Sequence, residues 1–471
     1  MSTSTQRIRG RFWLPDHSDD VIVGDLVLSP GSSAKIDLSD ALPGSGVFSH
    51  PRGDGLFPVV HGWLEHKLGG FRTANTTEVT LIDCHASGFS FKIGTFSNES
   101  QVLSARRVLV GPHTPPSPAA NAVRVSFDRL AEWLFDPGLD YSSMDEIPDE
   151  RTMRWRKPTE IVATLASGPH LCIRTHGPNP SVRVAPDVSL ETWTSVELDT
   201  ADPLTLDDWH DDIGRLQHFL AFVTGQRAHL TYLALRVPIN DDLREPLIDV
   251  AAVQGTDVTD WRPDRHLLHR KMILGGEAEL LRAWWDLSER TGIVLDSVVD
   301  AACRTTTYDP GLFLRLAAGA EAYHTLTTKD GRDAEVRRAA SAVSAALPAI
   351  LGDDAVRKRL EDHLRGLKSA ASYADRLNAL VNRLGPANRA LIDWNATVTR
   401  DVKNLRNFLA HGMSHRKPIV LDSSVNFVRL IQRLQAVLRG NILLDLGLSI
   451  EDMTAVLEAA YGPSGWYRLI G

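Results

Sequence analysis

The sequence predicts a multidomain α+β protein. It combines an N-terminal, mainly antiparallel β domain of sandwich or barrel type, a mixed α/β middle segment and a C-terminal all-α helical bundle. Three observations carry this reading. Short β-rich runs fill the first 200 residues and are cut at close intervals by Gly, Pro, Asn and Asp clusters. From about Asp309 onward, apolar residues recur at helical spacing. The 471-residue length is also enough for two or three domains, each with its own core.

In chain order, Val21 to Leu28 is a β-rich run closed by Ser29-Pro30-Gly31, and Thr77 to Phe96 holds two more with Ser87-Gly88 as the turn between them. Val123 to Phe127 alternates, and further strands are expected at Ile161–Thr164, Leu171–Ile173 and Val196–Leu198. Pro137 to Pro158 is polar and charged and reads as a long loop. Leu206, His210, Ile213, Leu216, Leu220 and Val223 mark a helix that Gly225 ends, followed by a strand-like Leu230–Val237 and a helix over Glu277–Glu289. Five longer helices are then expected at Gly311–Leu326, Ala334–Leu351, Asp354–Leu384, Asn388–His411 and Ser423–Leu446, with a short one at Ile450–Ala460. Gly352, Gly385, Gly412 and Gly447 fall at their ends. These elements divide the chain into a β-rich domain over 1–204, a mixed continuation or linker over 205–304, and a helical domain over 305–471.

Charge is split unevenly between these parts. Residues 1–304 carry −13 and residues 305–471 carry +5. Phosphate binding depends on cationic neutralisation, so if RNA is the partner the C-terminal part should hold it. Nine of the eleven Trp precede residue 305, and an aromatic-rich acidic β domain suits recognition of a protein or other ligand. Cys84, Cys172 and Cys303 are few, odd in number and far apart, which indicates a reducing cytoplasm rather than a disulfide framework. The polar Met1–Gln6 start is not a signal peptide, and no run approaches the roughly eighteen apolar residues of a membrane span. A cytoplasmic protein with no membrane partner is therefore expected. CxxC, HExxH and phosphate-loop strings are absent. His266 and His269 beside Asp264 have a spacing that a metal could use, but Arg265 and Arg270 disfavour a cation there, so neither metal nor cofactor is expected.

The most informative stretch is Arg406-Asn407-Phe408-Leu409-Ala410-His411-Gly412. An Arg-x-x-x-x-His spacing alone carries little information in a chain with 17 His; it occurs once, and its specificity comes from the residues between and after. At 100° per residue, Val398, Val402, Leu405 and Leu409 fall within about 60° of one another and form the core stripe. Arg400, Lys403, Asn404, Asn407 and His411 lie opposite, with Arg406 on the flank. Gly412 suits a left-handed helix end, where the chain can bend and bring the His411 imidazole toward Arg406. Such a face is often plain solvated surface, and a helix-end histidine often serves the macrodipole. The chemical reading is phosphodiester cleavage: arginine grips phosphate oxygens, histidine moves protons near neutral pH, and Asn407 orients the histidine or donates to the phosphate. Arg400, Lys403, His415, Arg416 and Lys417 would guide the RNA, and Phe408, off the core stripe, would meet another protein surface.

Arg406-Asn407-Phe408-Leu409-Ala410-His411, late in a helical region, resembles the R-N-x-x-x-H signature of the HEPN ribonuclease superfamily. The layout resembles the ApeA-like branch, a group implicated in antiphage defence. Gly10-Arg11-Phe12-Trp13-Leu14-Pro15, followed by Gly24-Asp25-Leu26, resembles the start of the ApeA N-terminal domain, so the resemblance spans most of the chain. It implies a HEPN bundle over 305–471 that forms a homodimer or higher homo-oligomer through the motif face, with one composite site from two copies. It also implies metal-independent RNA cleavage with Arg406, His411 and Asn407 as catalytic residues, tRNA being one target by analogy, and Glu321 as an additional candidate acid. By the same resemblance, residues 1–204 become a sensor or regulator for a phage-derived trigger and the protein an abortive-infection effector. The alternative, a non-catalytic HEPN-type module that binds RNA or a protein, shares the same fold.

Overall fold

Period-two burial opens the chain: Ile8, Gly10 and Phe12 of β1 (Gln6–Trp13) face inward while Arg7, Arg9 and Arg11 face out. The strands β2 (Ile22–Leu28), β3 (Ala34–Leu38), β4 (Leu56–Leu64), β5 (Thr77–Ser90) and β6 (Ser100–Val110) follow. All pair antiparallel in the cycle β1-β2-β3-β6-β5-β4 and back to β1, which closes a six-stranded barrel. Closure removes the free edges that an open sheet of this size would present. Phe12, Leu26, Ile36, Leu64, Leu81 and Leu103 fill the interior. The computed structural model describes residues 5–29, 32–43, 56–65, 77–90, 100–134, 139–141, 153–165, 168–177, 193–237, 246–249, 266–268, 270–273, 275–302, 308–328, 331–350, 353–367, 372–411 and 423–461.

Ser87-Gly88 is not the turn that its composition predicts. The β5 strand runs through it to Ser90, and the register against β6 shifts between Ala86 and Gly88, so the pair forms a bulge within one long strand. The rest of the stretch expected to reach Phe96 lies outside the described residues.

A second antiparallel sheet grows from the barrel. It uses β7 (Ala119–Phe127), then, after α1 (Leu130–Leu134), β8 (Leu139–Tyr141) and β9 (Met153–Trp155), the strands β10 (Ile161–Thr164), β11 (His170–His176) and β12 (Trp193–Thr205). After α2 (Leu206–Thr224) come β13 (Leu230–Arg236) and β14 (Pro246–Asp249). The order is β10-β11-β12-β7-β13-β14, and β14 pairs with β6 beside Leu109 and Val110. Strands β13 and β14, from beyond residue 205, therefore lie together between β7 and β6 in one sheet. Thr205 and Asp208 form a capping box that starts α2, and Gly225, at φ 71°, ends it. Trp209, Leu216, Phe219 and Leu220 bury the helix's inner face. The Pro137 to Pro158 stretch, expected as a loop, contains the β8–β9 ribbon; residues 142–152 lie outside the described residues.

The regular elements described in the C-terminal part are all helices: α3 (Glu277–Thr291), α4 (Ile293–Ala302), α5 (Pro310–Thr327), α6 (Gly331–Ile350), α7 (Asp354–Leu367), α8 (Tyr373–Arg383), α9 (Gly385–Leu391), α10 (Ala396–His411), α11 (Ser424–Asp445) and α12 (Ile450–Tyr461). Two of the expected long helices are each a pair. The Asp354–Leu384 helix divides because Ser372 and Asp375 form a capping box that begins α8. The Asn388–His411 helix divides because Asp393 takes a left-handed φ of 49°, and the Asn395 side chain then accepts from the Thr397 and Val398 amides at 3.0 and 3.2 Å. Among the described residues the motif helix is thus the sixth after residue 305, not the fourth.

Helix α5 is central to the bundle, packing against α4, α8, α10 and α11. Gly319 permits the α4 contact, since a Cβ there would lie 2.8 Å from Val298 Cγ2. The Tyr323 hydroxyl donates to Asp445 at 2.5 Å, and Arg383 holds the other Asp445 oxygen at 2.6 Å, which ties α5, α8 and α11 together. The chain divides into two units, Met1–Arg282 and Ala283–Gly471. Among the described residues, no helix is long and apolar enough to cross a membrane.

Barrel closure makes a specific demand at Gly62. A Cβ there would sit 2.6 Å from Phe12 Cδ1 and 3.1 Å from the Arg11 carbonyl oxygen. Gly62→Ala is expected to displace the Phe12 ring and cost about 1–3 kcal/mol. Urea unfolding of the full chain, followed by circular dichroism, measures this as a lower midpoint of the β-rich transition.

Candidate functional site

Helix α10 presents two faces, as the residue spacing requires. Val398, Val402 and Leu405 are buried, and burying each contributes about 1.5–3 kcal/mol as an upper estimate. Arg400, Lys403, Asn404 and His411 are exposed, while Asn407, Phe408 and Leu409 are half-buried. Arg406 lies between these faces with about a quarter of its side chain exposed (26%).

Arg406 is held from three directions. Its Nη2 lies 2.8 Å from Glu321 Oε2 on α5. Its guanidinium sits over the Tyr373 ring of α8, 4.9 Å from the centroid. Its Nη1 donates to Asn407 Oδ1 at 3.5 Å. Glu321 also faces Arg376, at 3.8 Å, and Arg376 donates to the Thr325 hydroxyl at 2.6 Å. Two arginines thus share one carboxylate. Tyr373 is buried, which raises its phenol pKa; Arg406 opposes the shift and Glu321 adds to it. The Tyr373 hydroxyl has no hydrogen-bond partner among the described residues.

The structure does not bring His411 toward Arg406 within one chain. Helix α10 stays regular through His411, so five residues separate their side chains by about 140° around the axis and about 7.5 Å along it. Among the described residues no hydrogen bond or ion pair joins the two. His411 stands exposed in the last turn of α10. Gly412 and the expected RNA-guiding residues His415, Arg416 and Lys417 lie outside the described residues, whereas Arg400 and Lys403 stand on the exposed face as the helical spacing predicts.

Glu321 was legible as a candidate acid in the sequence, but Tyr373 and Arg376 were not. The Ser372-x-x-Asp375 capping box is readable and sets both in the first turn of α8, but nothing local says that this turn meets α10. No group of three or more His, Cys, Asp and Glu among the described residues could hold a metal. His266 is buried with Nε2 3.7 Å from Glu132, while Asp264, Arg265 and His269 lie outside the described residues.

The N-terminal unit carries a distinct polar surface on β11, β12, β7 and β13. Arg124, Arg236 and Arg174 approach Glu197 at 2.8, 2.9 and 3.6 Å, and their proximity lowers its pKa against the opposing effect of burial. Beside them Trp193, 40% exposed, stacks on His176 at 4.1 Å and meets Tyr232 edge-on at 5.4 Å.

Comparison with known families assigns both regions. A family model for ApeA N-terminal domain 1 matches residues 7–247, and one for the Apea-like HEPN domain matches residues 314–452. No curated protein and no solved structure matches the chain.

The environment of Tyr373 predicts a split between its ring and its hydroxyl. Tyr373→Phe keeps the surface under Arg406 and removes an unsatisfied buried group, so stability is expected to hold or rise by about 1 kcal/mol. Tyr373→Ala is expected to lose about 3–5 kcal/mol. Thermal unfolding of the two variants checks this, and equal losses would mean that the hydroxyl has a structural partner.

Proposed function

The chain belongs to the ApeA-like HEPN family, a nuclease-type antiphage defence family, and from that premise we propose that it is a metal-independent endoribonuclease acting as an abortive-infection effector. RNA carries its own nucleophile. The ribose 2′-hydroxyl attacks the adjacent phosphorus, the P–O5′ bond breaks, the hydroxyl proton passes to a base, and the departing 5′-oxygen takes up a proton. The products are a 2′,3′-cyclic phosphate and a 5′-hydroxyl. DNA lacks the 2′-hydroxyl and resists.

The observation that carries this reading is the contrast between Arg406 and His411. Arg406 is half-buried and oriented by Glu321, Tyr373 and Asn407. A guanidinium has five N–H donors, and those not engaged by Glu321 and Asn407 remain for phosphate oxygens, where they stabilise the charge gained in the transition state. His411, exposed at the helix end, is free to exchange protons with substrate. Their 140° divergence on one helix supports a composite site in which two copies of α10 face each other, each arginine working beside the partner copy's histidine. Arg400 and Lys403 guide the strand toward that site, with His415, Arg416 and Lys417 as further guides from the sequence pattern. tRNA is the target class proposed by analogy.

The arginine-rich, aromatic surface around Glu197 and Trp193 supports the reading of the N-terminal region as a sensor for a phage-derived trigger. We propose residues 1–204 as the sensor domain, 205–304 as its continuation or linker, and 305–471 as the nuclease domain. The low cysteine content fits a cytoplasmic location. A non-catalytic RNA- or protein-binding module remains the alternative, and cutting separates the two.

The assay is total RNA incubated in EDTA, with fragment ends identified and circular dichroism as the folding control. His411→Ala is expected to lose at least about 100-fold in cleavage, as loss of acid–base catalysis does. Arg406→Lys is expected to fail as well, because an ammonium cannot reproduce the planar grip on phosphate. Asn407→Ala should be milder. Folded His411→Ala and Arg406→Lys proteins that both cut at the wild-type rate would refute the nuclease reading. For the assembly, Phe408→Glu is expected to set like charges across the two-fold and shift the dimer toward monomer in light scattering, with cleavage lost in parallel. An intact, fully active dimer would exclude this interface.

A further inference from the structure

A cleft of about 420 Å³ opens between α8, α9 and the first turns of α10. That volume lies within the range of small-molecule sites. Its α10 wall, from Ala396 through Arg400 to Lys403 and Asn404, continues on the same helical face to Asn407 and His411. Lys403 precedes His411 by two i, i+4 steps, about 12 Å along the axis.

The lining combines oriented amide donors, cations and an aromatic ring. Asn395 Oδ1 accepts from two backbone amides of α10, so its NH2 group is turned away from them. Asn382 Oδ1 accepts from Arg389 Nη1 at 3.0 Å. Trp394 Nε1 donates to the Thr399 hydroxyl at 3.0 Å, and that hydroxyl donates to Asn378 Oδ1 at 2.9 Å. Backbone amides and guanidinium can only donate, so these contacts fix the Asn395 and Asn382 amides with the carbonyl oxygen engaged and the NH2 left over, while the Thr399 hydroxyl links Asn378 to the Trp394 indole. Arg389, Arg400 and Lys403 add positive charge, Arg400 lying 3.7 Å from Asp401 outside the cleft, and no Asp or Glu is among the residues that line it. The half-buried Trp394 indole, anchored through its Nε1, supplies an aromatic surface.

We infer that this cleft is a nucleobase subsite that receives a nucleotide flanking the scissile phosphate of single-stranded RNA and sets the sequence preference of cleavage. A base offers carbonyl and ring-nitrogen acceptors to the amide donors, an aromatic face to Trp394, and a phosphate to Arg400 and Lys403. An acidic protein segment would use the cations but would not need the oriented amides, so the base fits the lining better. The inference rests on the nuclease reading for its cleavage readout and stands apart from it in binding.

Two exposed cleft residues allow a test that leaves the core intact. Asn382→Asp replaces an oriented donor with an acceptor of nearly the same shape, and Asn404→Asp sets a carboxylate of the same shape on the α10 wall. In the His411→Ala background, binding of a fluorescently labelled, mixed-sequence single-stranded RNA dodecamer is measured by anisotropy. Each substitution is expected to weaken binding about tenfold or more. In the otherwise wild-type chain, cleavage of a random-sequence RNA pool is read by sequencing the fragment ends. The base preference at one position beside the cut is expected to change at least fivefold while cutting persists. Unchanged affinity in both variants would overturn the subsite whether or not the wild type cuts. Weakened binding with a wild type that never cuts would retain the subsite and sink the nuclease reading. Weakened binding with unchanged preference would reduce the cleft to a phosphate track and overturn the base assignment.

Discussion

The C-terminal site depends on how Arg406 is held. A guanidinium a quarter exposed, at the margin of a helix core, would swing into solvent unless something fixed it. Glu321 supplies the charge, Tyr373 the surface and Asn407 a neighbouring acceptor, each from a different position in the bundle. The arrangement asks much of the fold: α5 must place Glu321, α8 must place Tyr373, and α10 must present Arg406 within reach of both. The buried contacts that align these helices, Leu316 and Ala320 on α5, Leu377 and Leu380 on α8, Val402 and Leu405 on α10, are therefore also what positions the arginine. The ion pair itself adds little stability at this exposure. Its value lies in orientation, because a pre-aimed arginine loses less freedom when phosphate arrives.

The N-terminal unit solves a different problem. A long antiparallel sheet exposes edges, and here the first six strands close on themselves. β6 is where the two sheets join: part of one edge pairs with β3 and, a few residues on, β14 takes over beside Leu109 and Val110. The second sheet then has one face buried by Val123, Val125, Leu198 and the apolar side of α2, and another carrying Arg124, Glu197, Arg236 and Trp193. Period-two alternation lets one set of strands build a core and a polar surface at once.

Much of this was legible in the sequence because it is periodic. Alternation marks β7 and β11, and the three-and-four spacing of Val398, Val402 and Leu405 marks the buried side of α10 and, by subtraction, the exposed side bearing Lys403 and His411. Errors came where a local signal had two structural solutions. Ser87-Gly88 has turn composition, yet a glycine in a strand equally serves a bulge, and pairing with β6 decided between them. The partners of Arg406 were illegible for another reason. Glu321 and Arg406 are 85 residues apart, and no periodicity reports which helices meet. The approach of His411 to Arg406 failed on geometry: the bend was expected at Gly412, but a side chain five residues on from another diverges before that point is reached.

The most consequential miss is the break between α9 and α10, because it makes space. A continuous helix from Asn388 to His411 would run straight past α8 and leave no recess beside it. Instead Asp393 turns left-handed, Trp394 folds back to reach Thr399, and Asn395 restarts the helix by capping it. Each of those three residues is a poor helix former or a good cap, so the signal was present, but it competed with a strong apolar pattern on both sides. The restart sets the rotational phase of α10. Capping at Asn395 fixes where the first turn begins, and counting in steps of 100° from there puts Val398, Val402 and Leu405 inward and Lys403, Asn407 and His411 outward together. One residue more or less in the linker would rotate that whole face by a hundred degrees. The cleft and the motif are thus consequences of the same break, one formed by its geometry and the other aimed by it.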